Sequence, residues 1–207
     1  MPDWQFEKSA WATGADAVVG IDEAGRGPWA GPVVAGAVVL DPEIIPKDLL
    51  SRLDDSKKLK PRAREELFGA LEGVARIGVG EADVAEIDHL NILQATMLAM
   101  ARAVSDLGEP SPDFALVDGN RLPDLNCELE CVVKGDSRSL SIAAASIVAK
   151  VTRDRIMVAL DERYPGYGWE HNAGYGTREH QNALARLGVT PEHRRSFAPI
   201  RNILSPD

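Results

Sequence analysis

The chain has 207 residues, 44% of them hydrophobic and 27% charged, so it is long enough to bury one core without disulfides as staples. Its two cysteines exclude a disulfide framework, and the absence of a bilayer-length apolar run or a signal-peptide pattern predicts a cytoplasmic protein without membrane contact. The net charge of −9 argues against a nucleic-acid partner, but residues 134–201 carry 11 Lys and Arg against 7 Asp and Glu, and such a locally basic region can line a phosphate path.

The first predicted elements are two strands that form a hairpin. Residues 17–21 are apolar and β-branched, and a turn rich in Gly and Pro at 25–28 follows them. A second buried strand, rich in valine, covers 32–40. Because so short a segment joins the two strands, we expect them to pair antiparallel.

The rest of the chain alternates helical and strand patterns. In chain order we predict a polar loop at 54–59, a helix at 61–71, a strand at 76–80, a helical stretch at 84–107 broken near 89–91, short strands at 114–117 and 131–133, a long helix at 141–160 and a helix at 177–187. Strands interspersed with helices indicate an α/β domain in which helices cover a sheet.

Three of the predicted strands lead directly into acidic residues beside glycines. Asp22 and Glu23 follow the first strand, Asp118 ends the strand at 114–117, and Asp136 follows the strand at 131–133. If these ends converge, the carboxylates repel one another unless divalent cations bind, and hard oxygen ligands suit Mg²⁺ or Mn²⁺. Two such ions can activate a water and stabilise the leaving oxygen of a phosphodiester. The alternative is that each acid is a turn or cap residue.

Several motifs, in order along nearly the whole chain, resemble the ribonuclease HII family. They are Asp22-Glu23-Ala24-Gly25-Arg26-Gly27-Pro28, Ala30-Gly31-Pro32-Val33-Val34-Ala35, Asp55-Ser56-Lys57-Lys58-Leu59, Val117-Asp118-Gly119-Asn120, Lys134-Gly135-Asp136-Ser137, the run from Ala143 to Asp154, Gly174-Tyr175-Gly176-Thr177-Arg178-Glu179-His180 and His193-Arg194-Arg195-Ser196-Phe197. Ordered agreement of this kind is far more specific than one short motif.

The resemblance implies a ribonuclease H-like mixed sheet flanked by helices, with a small C-terminal helical segment. Residues 1–165 would form the catalytic core, and residues 166–207 would cover the substrate within the same compact unit. The four matching carboxylates would bind the metals and carry catalysis: Asp22, Glu23, Asp118 and Asp136. The turn Gly25-Arg26-Gly27 would contact the ribose 2′-hydroxyl, which distinguishes RNA from DNA, and glycines permit that close approach. Tyr175 would pack on the deoxyribose that follows; the alternative is a tyrosine that fills a loop core.

The implied reaction is metal-dependent cleavage of the RNA strand in RNA–DNA hybrids and cleavage 5′ to single ribonucleotides in duplex DNA. Two Mn²⁺ or Mg²⁺ ions would serve, leaving 3′-hydroxyl and 5′-phosphate ends. The partners are then hybrid and ribonucleotide-containing duplexes. The sequence shows no glutamine-plus-paired-aromatic tail for a sliding clamp, and we expect a monomer.

The remaining polar residues have two interpretations each. Lys57, Lys150, Arg153, Arg178 and Arg195 are candidate phosphate contacts, although each also suits a solvated surface. His180 and His193 are more typical of structural hydrogen bonding than of catalysis, and Asp154 is expected to pair with an arginine. Trp29 departs from the smaller aliphatic residue of many relatives, which predicts a differently shaped rim beside the turn.

Two other classes of function compete with catalysis on duplexes. A non-catalytic binder of hybrids would bind without metal-dependent turnover, but it has no use for four clustered carboxylates. A nucleotide-binding enzyme would use Gly25-Arg26-Gly27 as a phosphate cradle. That segment lacks the Gly-Lys-Ser/Thr of a P-loop, and the preceding acids repel phosphate unless a metal is bound.

Overall fold

One five-stranded mixed sheet forms the centre of the molecule in a computed structural model that describes residues 1–205. Its strands are β1 (Val18–Ala24), β2 (Val33–Val39), β3 (Arg76–Ala82), β4 (Phe114–Asp118) and β5 (Glu128–Val132). The spatial order is β3-β2-β1-β4-β5. β2 pairs antiparallel with β1 and β3, which confirms the predicted hairpin, whereas β4 and β5 run parallel to β1.

Helices cover both faces of this sheet, as predicted. They are α1 (Gln5–Ala12), α2 (Lys47–Leu50), α3 (Pro61–Glu72), α4 (Val84–Leu90), α5 (Ile92–Asp106), α6 (Leu140–Arg163), α7 (Trp169–Asn172), α8 (Arg178–Leu187) and α9 (Ala198–Leu204), with a short 3₁₀ helix at Gly135–Ser137. The predicted break near residue 90 is confirmed, because Asn91 has a φ of 71° and its side chain caps α5. No helix within residues 1–205 has the length and apolarity needed to cross a bilayer.

Glycines in the strands let the two main helices approach the sheet closely. A Cβ at Gly20 would lie 2.2 Å from the carbonyl carbon of Ser141 in α6, and one at Gly80 would lie 2.2 Å from the carbonyl oxygen of Ala99 in α5. Gly36 contacts α6 in the same way. The absence of side chains at these positions therefore fixes the helix-to-sheet spacing on both faces.

A smaller apolar cluster lies beyond the C-terminal end of α6. It contains Ala30, Met157, Tyr167, Trp169, Ala183, Leu184 and Ile200. Residues 166–205 thus pack on α6 and on the segment that follows the β1 turn. Their role as a cover for substrate stays a prediction, and Pro206 and Asp207, at the end of the predicted segment and tail, lie outside the described residues.

Two sequence expectations need correction. β5 covers 128–132 rather than 131–133, because its register is set by parallel pairing of Glu128 with Phe114 at the start of β4. Asp136 consequently lies in the 3₁₀ helix and not at a strand end. The helix α1 was also not predicted; its buried Glu7 accepts hydrogen bonds from the Ser141 amide (2.9 Å) and the Ser139 hydroxyl (2.6 Å), which joins the N-terminus to the start of α6.

Candidate active site

Asp22 and Glu23 lie near the C-terminal end of β1, where the strand leaves the core. Asp22 is only 4% exposed, and its Oδ1 accepts a hydrogen bond from the Glu23 amide at 2.7 Å. Successive residues of a strand point to opposite faces of the sheet, so the two side chains lie on either side of β1. This strand end therefore presents one carboxylate toward the α6 face and one toward the α5 face.

Asp118 ends β4, the parallel neighbour of β1. Because Ile21 pairs with Val117, Asp22 and Asp118 lie side by side near the C-terminal ends of the two strands. We call this end of the sheet the carboxylate edge. Asp118 Oδ1 accepts a hydrogen bond from the Gly135 amide at 2.6 Å, which ties the strand end to the 3₁₀ helix. Parallel pairing thus brings together residues that are far apart in sequence.

Asp136 reaches this edge by a different route. The chain leaves β5, passes through Lys134 with a φ of 57° and enters the 3₁₀ helix, where Asp136 is buried. A left-handed residue reverses the chain direction over a short distance. The turn therefore returns Asp136 toward Asp118, although no strand delivers it.

The carboxylates at this end of the sheet raise one another's pKa values. Burial, and then the charges of Glu23 and Asp118, raise the pKa of Asp22 well above its ordinary value. Burial also raises the pKa of Glu23 against the opposing effect of Arg26, and burial followed by the charges of Asp55 and Asp118 raises the pKa of Asp136. The edge is therefore an electrostatically unfavourable cluster that a cation would relieve.

A lysine ammonium already approaches the cluster. Lys57 Nζ lies 3.6 Å from Asp136 Oδ2. Partial burial opposes its charge, but Asp22, Asp136 and other nearby carboxylates raise the pKa of Lys57. Its loop is attached to the core because the Ser56 amide donates to Ser146 Oγ on α6 at 3.3 Å, while its side chain stays 77% exposed. Lys57 is thus an exposed cation on a loop that is hydrogen-bonded to α6.

The donor set fits a hard divalent cation in chemistry, since all four site acids offer carboxylate oxygens. Within residues 1–205, however, no three His, Cys, Asp or Glu side chains are spaced to share one ion. Ion binding at this edge therefore requires carboxylate rotations. The cavity between Glu23, Asp118 and Arg121 measures only about 60 Å³, and the larger cavities lie elsewhere.

The turn Gly25-Arg26-Gly27 begins directly beyond these acids. Gly25 has a φ of 100°, and Arg26 Nη1 contacts Glu23 Oε1 at 3.2 Å. A Cβ on Gly27 would lie 3.3 Å from the Tyr175 ring, so the turn and the tyrosine are neighbours. Tyr175 is 49% exposed, which excludes the alternative of a tyrosine that fills a loop core. The structure thus places carboxylates, turn and tyrosine along one surface.

Comparisons with known proteins agree on one family. The sequence model of the family "Ribonuclease HII" matches residues 19–200. The chain is 63% identical over 183 residues to the ribonuclease HII of Paramagnetospirillum magneticum, covering 88% of this chain and 90% of that protein. It is 57% identical over 204 residues to that of Ruegeria pomeroyi, covering 98% and 85%. The chain belongs to the ribonuclease HII family.

The family and the fold confirm two predictions. The protein is a metal-dependent hydrolase, a ribonuclease H that acts on RNA–DNA hybrids, which argues against the two competing functions. The crystal structure of the ribonuclease H2 from Pyrococcus horikoshii OT3 superposes with a TM-score of 0.74 at 29% identity, covering 91% of this chain and 97% of that chain. The ribonuclease H-like mixed sheet flanked by helices is thereby confirmed.

The structure separates the candidate phosphate contacts of this ribonuclease HII family member. Arg178 and Arg195 are exposed, as a phosphate contact requires. Lys150 Nζ is paired with Asp154 at 2.6 Å, and Arg64 contacts the same carboxylate at 3.4 Å, which confirms the predicted pairing of Asp154 with an arginine. Arg153 is fully buried and bonded to backbone carbonyls, so its assignment as a phosphate contact is wrong.

The two histidines form a buried neutral pair, which confirms their structural role. Trp169 Nε1 donates to His180 Nε2 at 3.1 Å, so the His180 proton is on Nδ1, which contacts the Tyr175 carbonyl at 3.0 Å. His193 Nε2 then donates to His180 Nε2 at 3.0 Å, and its Nδ1 accepts from the Thr190 amide. Burial, and then the neighbouring His180, lowers the pKa of His193 to about 4. The tautomers follow from the network.

Trp29 does shape the rim beside the turn. Its ring covers Gly176, where a Cβ would lie 2.1 Å from the indole, and its amide donates to the Gly174 carbonyl at 2.8 Å. The ring also lies 5.9 Å from His180. Trp29 therefore packs beneath the segment that carries Tyr175.

Sequence reasoning missed one residue of this region. Arg194 is fully buried and donates to carbonyl oxygens of the turn, yet in the sequence it is only one basic residue of the motif His193-Arg194-Arg195. Its neighbour Arg195 is exposed. Periodicity offers no signal here, because the segment contains no regular helix or strand.

Proposed function

We propose that this ribonuclease H cuts on the 5′ side of ribonucleotides, including single ones embedded in duplex DNA, and leaves 3′-hydroxyl and 5′-phosphate ends. The metal site would consist of Asp22, Glu23, Asp118 and Asp136 with two Mg²⁺ or Mn²⁺ ions. One observation carries the proposal: adjacent parallel strands and a 3₁₀ turn bring these acids to the same end of the sheet, directly beside a glycine turn and an exposed tyrosine.

The carboxylates would bind the ions and fix their places relative to the scissile phosphate. Bound divalent ions supply a nucleophilic water at neutral pH and stabilise the leaving oxygen. The raised pKa values of Asp22 and Asp136 mean that cation binding and deprotonation favour each other at this edge. Lys57, whose ammonium lies 3.6 Å from Asp136, would contact a phosphate of the substrate.

The turn and the tyrosine would select the sugar. Glycines at positions 25 and 27 allow backbone groups to approach a 2′-hydroxyl, which DNA lacks. The exposed Tyr175 ring, next to Gly27, offers a flat apolar surface for the following deoxyribose. Lys150 and the exposed Arg178 are proposed phosphate contacts on the same substrate.

Cleavage of three duplexes tests the proposal: all-DNA, DNA with one ribonucleotide, and an RNA–DNA hybrid, each with Mg²⁺, Mn²⁺ or chelator. We expect metal-dependent cuts in the second and third duplexes, and a 5′-phosphate on the downstream fragment. Cleavage of the all-DNA duplex, or failure to cut beside a single ribonucleotide with either ion, contradicts it.

We further propose that the protein acts as a cytoplasmic monomer. Support comes from the sequence pattern alone. Light scattering during size-exclusion chromatography, at micromolar protein, should give the mass of one 22.3 kDa chain. A dimer mass over that range contradicts the monomer.

A further inference from the structure

Two arginines lie in the core behind the glycine turn, and neither has a carboxylate partner among the described residues. Arg153 is 1% exposed and Arg194 is 0% exposed. Within residues 1–205 their hydrogen bonds go only to backbone carbonyl oxygens. A buried unpaired charge is costly to a fold, so two such charges side by side call for a specific reason. We call Arg153 and Arg194 the arginine pair.

Arg194 contacts the turn itself. Its Nη2 donates to the Gly25 carbonyl at 2.6 Å and its Nη1 to the Arg26 carbonyl at 3.1 Å. The same guanidinium reaches the carbonyls of Gly31 (2.9 Å) and Pro32 (3.1 Å). One side chain thus joins the beginning of the turn to the beginning of β2.

Arg153 connects this unit to the tyrosine segment. Its Nε shares the Pro32 carbonyl at 3.0 Å, and its two terminal nitrogens donate to the carbonyls of Ala30 (3.1 Å) and Ala173 (3.0 Å). Ala173 lies two residues before Tyr175. A Cβ on Gly25 would lie 2.0 Å from Arg153 Nε, so this guanidinium also packs directly on the turn.

These contacts decide which way the peptides of the turn face. In a trans peptide the carbonyl and the following N–H point in opposite directions. Because Arg194 binds the carbonyls of Gly25 and Arg26, the amides of Arg26 and Gly27 point away from the core. Neither amide has a hydrogen-bond partner within the described chain, so both are open to a ligand.

We propose that the arginine pair is a positioning device that fixes the outward amides of the turn at a set distance from Tyr175 and thereby sets selectivity for a ribonucleotide followed by a deoxyribonucleotide. This inference rests on the proposed function. A planar guanidinium spreads five donors over three nitrogens and can bridge several carbonyls at once, whereas an ammonium carries its three donors on one nitrogen. Lysine at either position would keep a hydrogen-bond donor and lose the geometry that spans the carbonyls.

The test uses Arg194→Lys and Arg153→Lys in the full chain. For each, kcat/KM is measured on the single-ribonucleotide duplex and on the RNA–DNA hybrid, and binding to the single-ribonucleotide and all-DNA duplexes is measured in chelator. We expect the single-ribonucleotide to hybrid ratio of kcat/KM to fall about tenfold or more, since small misplacements have effects of this size. The binding preference over all-DNA should fall in parallel.

Arg76→Lys is the matched control. Arg76 also donates to three carbonyls, those of Leu107, Gly108 and Pro110, but it lies level with Val39 at the opposite end of the sheet. This variant should lower the melting temperature and leave both ratios unchanged.

The outcomes separate the two proposals. If both lysine variants are folded and keep both ratios within twofold of wild type, the arginine pair is only structural and the inference is overturned. Wild-type protein that fails to cut the single-ribonucleotide duplex overturns the proposed function first. Equal losses of selectivity in Arg76→Lys also overturn the inference, because general destabilisation would then explain the effect.

Discussion

Two regions of the molecule bury charged side chains. The carboxylate cluster, formed by Asp22, Glu23, Asp118 and Asp136, brings like charges together, whereas the arginine pair is surrounded by hydrogen-bond acceptors. In the carboxylate cluster, Glu23 and Asp118 oppose ionisation of Asp22, while the Glu23 amide and the Lys57 ammonium favour it. In the arginine pair, each guanidinium is satisfied by backbone carbonyls from two segments. The negative charge of the carboxylates stays unfavourable unless a cation binds, whereas the guanidinium groups have their hydrogen-bond partners without any ligand.

The pKa values record this contrast. Burial raises the pKa of Asp22, so its negative charge destabilises the folded protein at neutral pH. Burial lowers the pKa of Arg194 to about 9 and that of Arg153 to about 10, yet both stay protonated at neutral pH. Burial thus shifts the pKa values in the proposed cation site and in the arginine pair alike, but only the proposed cation site is left with an unfavourable charge. Four measurements test the roles of these regions and of the residues beside them.

The largest effect should come from the acids themselves. Asp22→Asn and Asp118→Asn should each reduce cleavage about 1,000-fold or more, because loss of a metal ligand removes several kcal/mol of transition-state stabilisation. Duplex binding should persist or tighten as repulsion of phosphate falls. Asp113→Asn, at the other end of β4, is the control. The Asp113 carboxylate accepts hydrogen bonds from the amides of Asp16 and Ala17, so this change should affect stability and leave cleavage unchanged. Turnover near the wild-type rate in either site variant refutes the ligand assignment.

Removing charge should change stability in opposite directions in the two regions. Arg194→Met leaves several buried carbonyls unpaired and should lower the free energy of unfolding by about 3–5 kcal/mol. Asp22→Asn, measured in chelator, should raise it, since an unfavourable buried charge is removed and the Glu23 amide keeps an acceptor. Urea unfolding at pH 7 checks both. A destabilised Asp22→Asn protein contradicts the contrast between the regions.

The histidine pair should make the fold sensitive to acid. His193 has a folded pKa of about 4, below its unfolded value, so its contribution is fully present above the unfolded pKa and is lost as pH falls toward 4. The loss between about pH 6.5 and 4 amounts to about 3 kcal/mol at most. The acids with raised pKa have the opposite slope, so the difference between wild type and His193→Gln isolates the histidine. A difference that stays constant from pH 7 to 5 excludes this mechanism.

The smallest effect belongs to the exposed tyrosine. Tyr175→Ala should lower cleavage beside a single ribonucleotide about tenfold, because losing the apolar contact of the ring with the deoxyribose costs about 1–2 kcal/mol. The melting temperature should hardly change, because the ring is half exposed. Tyr175→Phe keeps the ring and should retain most of the rate. An unaltered rate in the alanine variant removes the proposed role.

Much of the sheet was predictable because its strands carry local signals. The β1–β2 hairpin follows from two apolar runs around a glycine turn, and the break before α5 follows from an asparagine that can adopt a positive φ and cap a helix. β5 was misplaced because the apolar run at 131–133 was taken as the strand, whereas its first half carries Glu128 and Glu130, and only pairing with β4 defines its extent. The helix α1 was missed because its one decisive contact, that of Glu7, is with residues more than 130 positions away.

The sequence by itself determined which acids occur beside which glycines, and their motifs indicated the family. Only the tertiary structure decided that Asp136 meets Asp118 through a 3₁₀ turn, that Arg153 is buried while Arg178 is exposed, and that Arg194 lies behind the turn. The physical reason is that residue type limits what a side chain can bind, whereas burial, peptide orientation and charge repulsion depend on segments that only folding brings together.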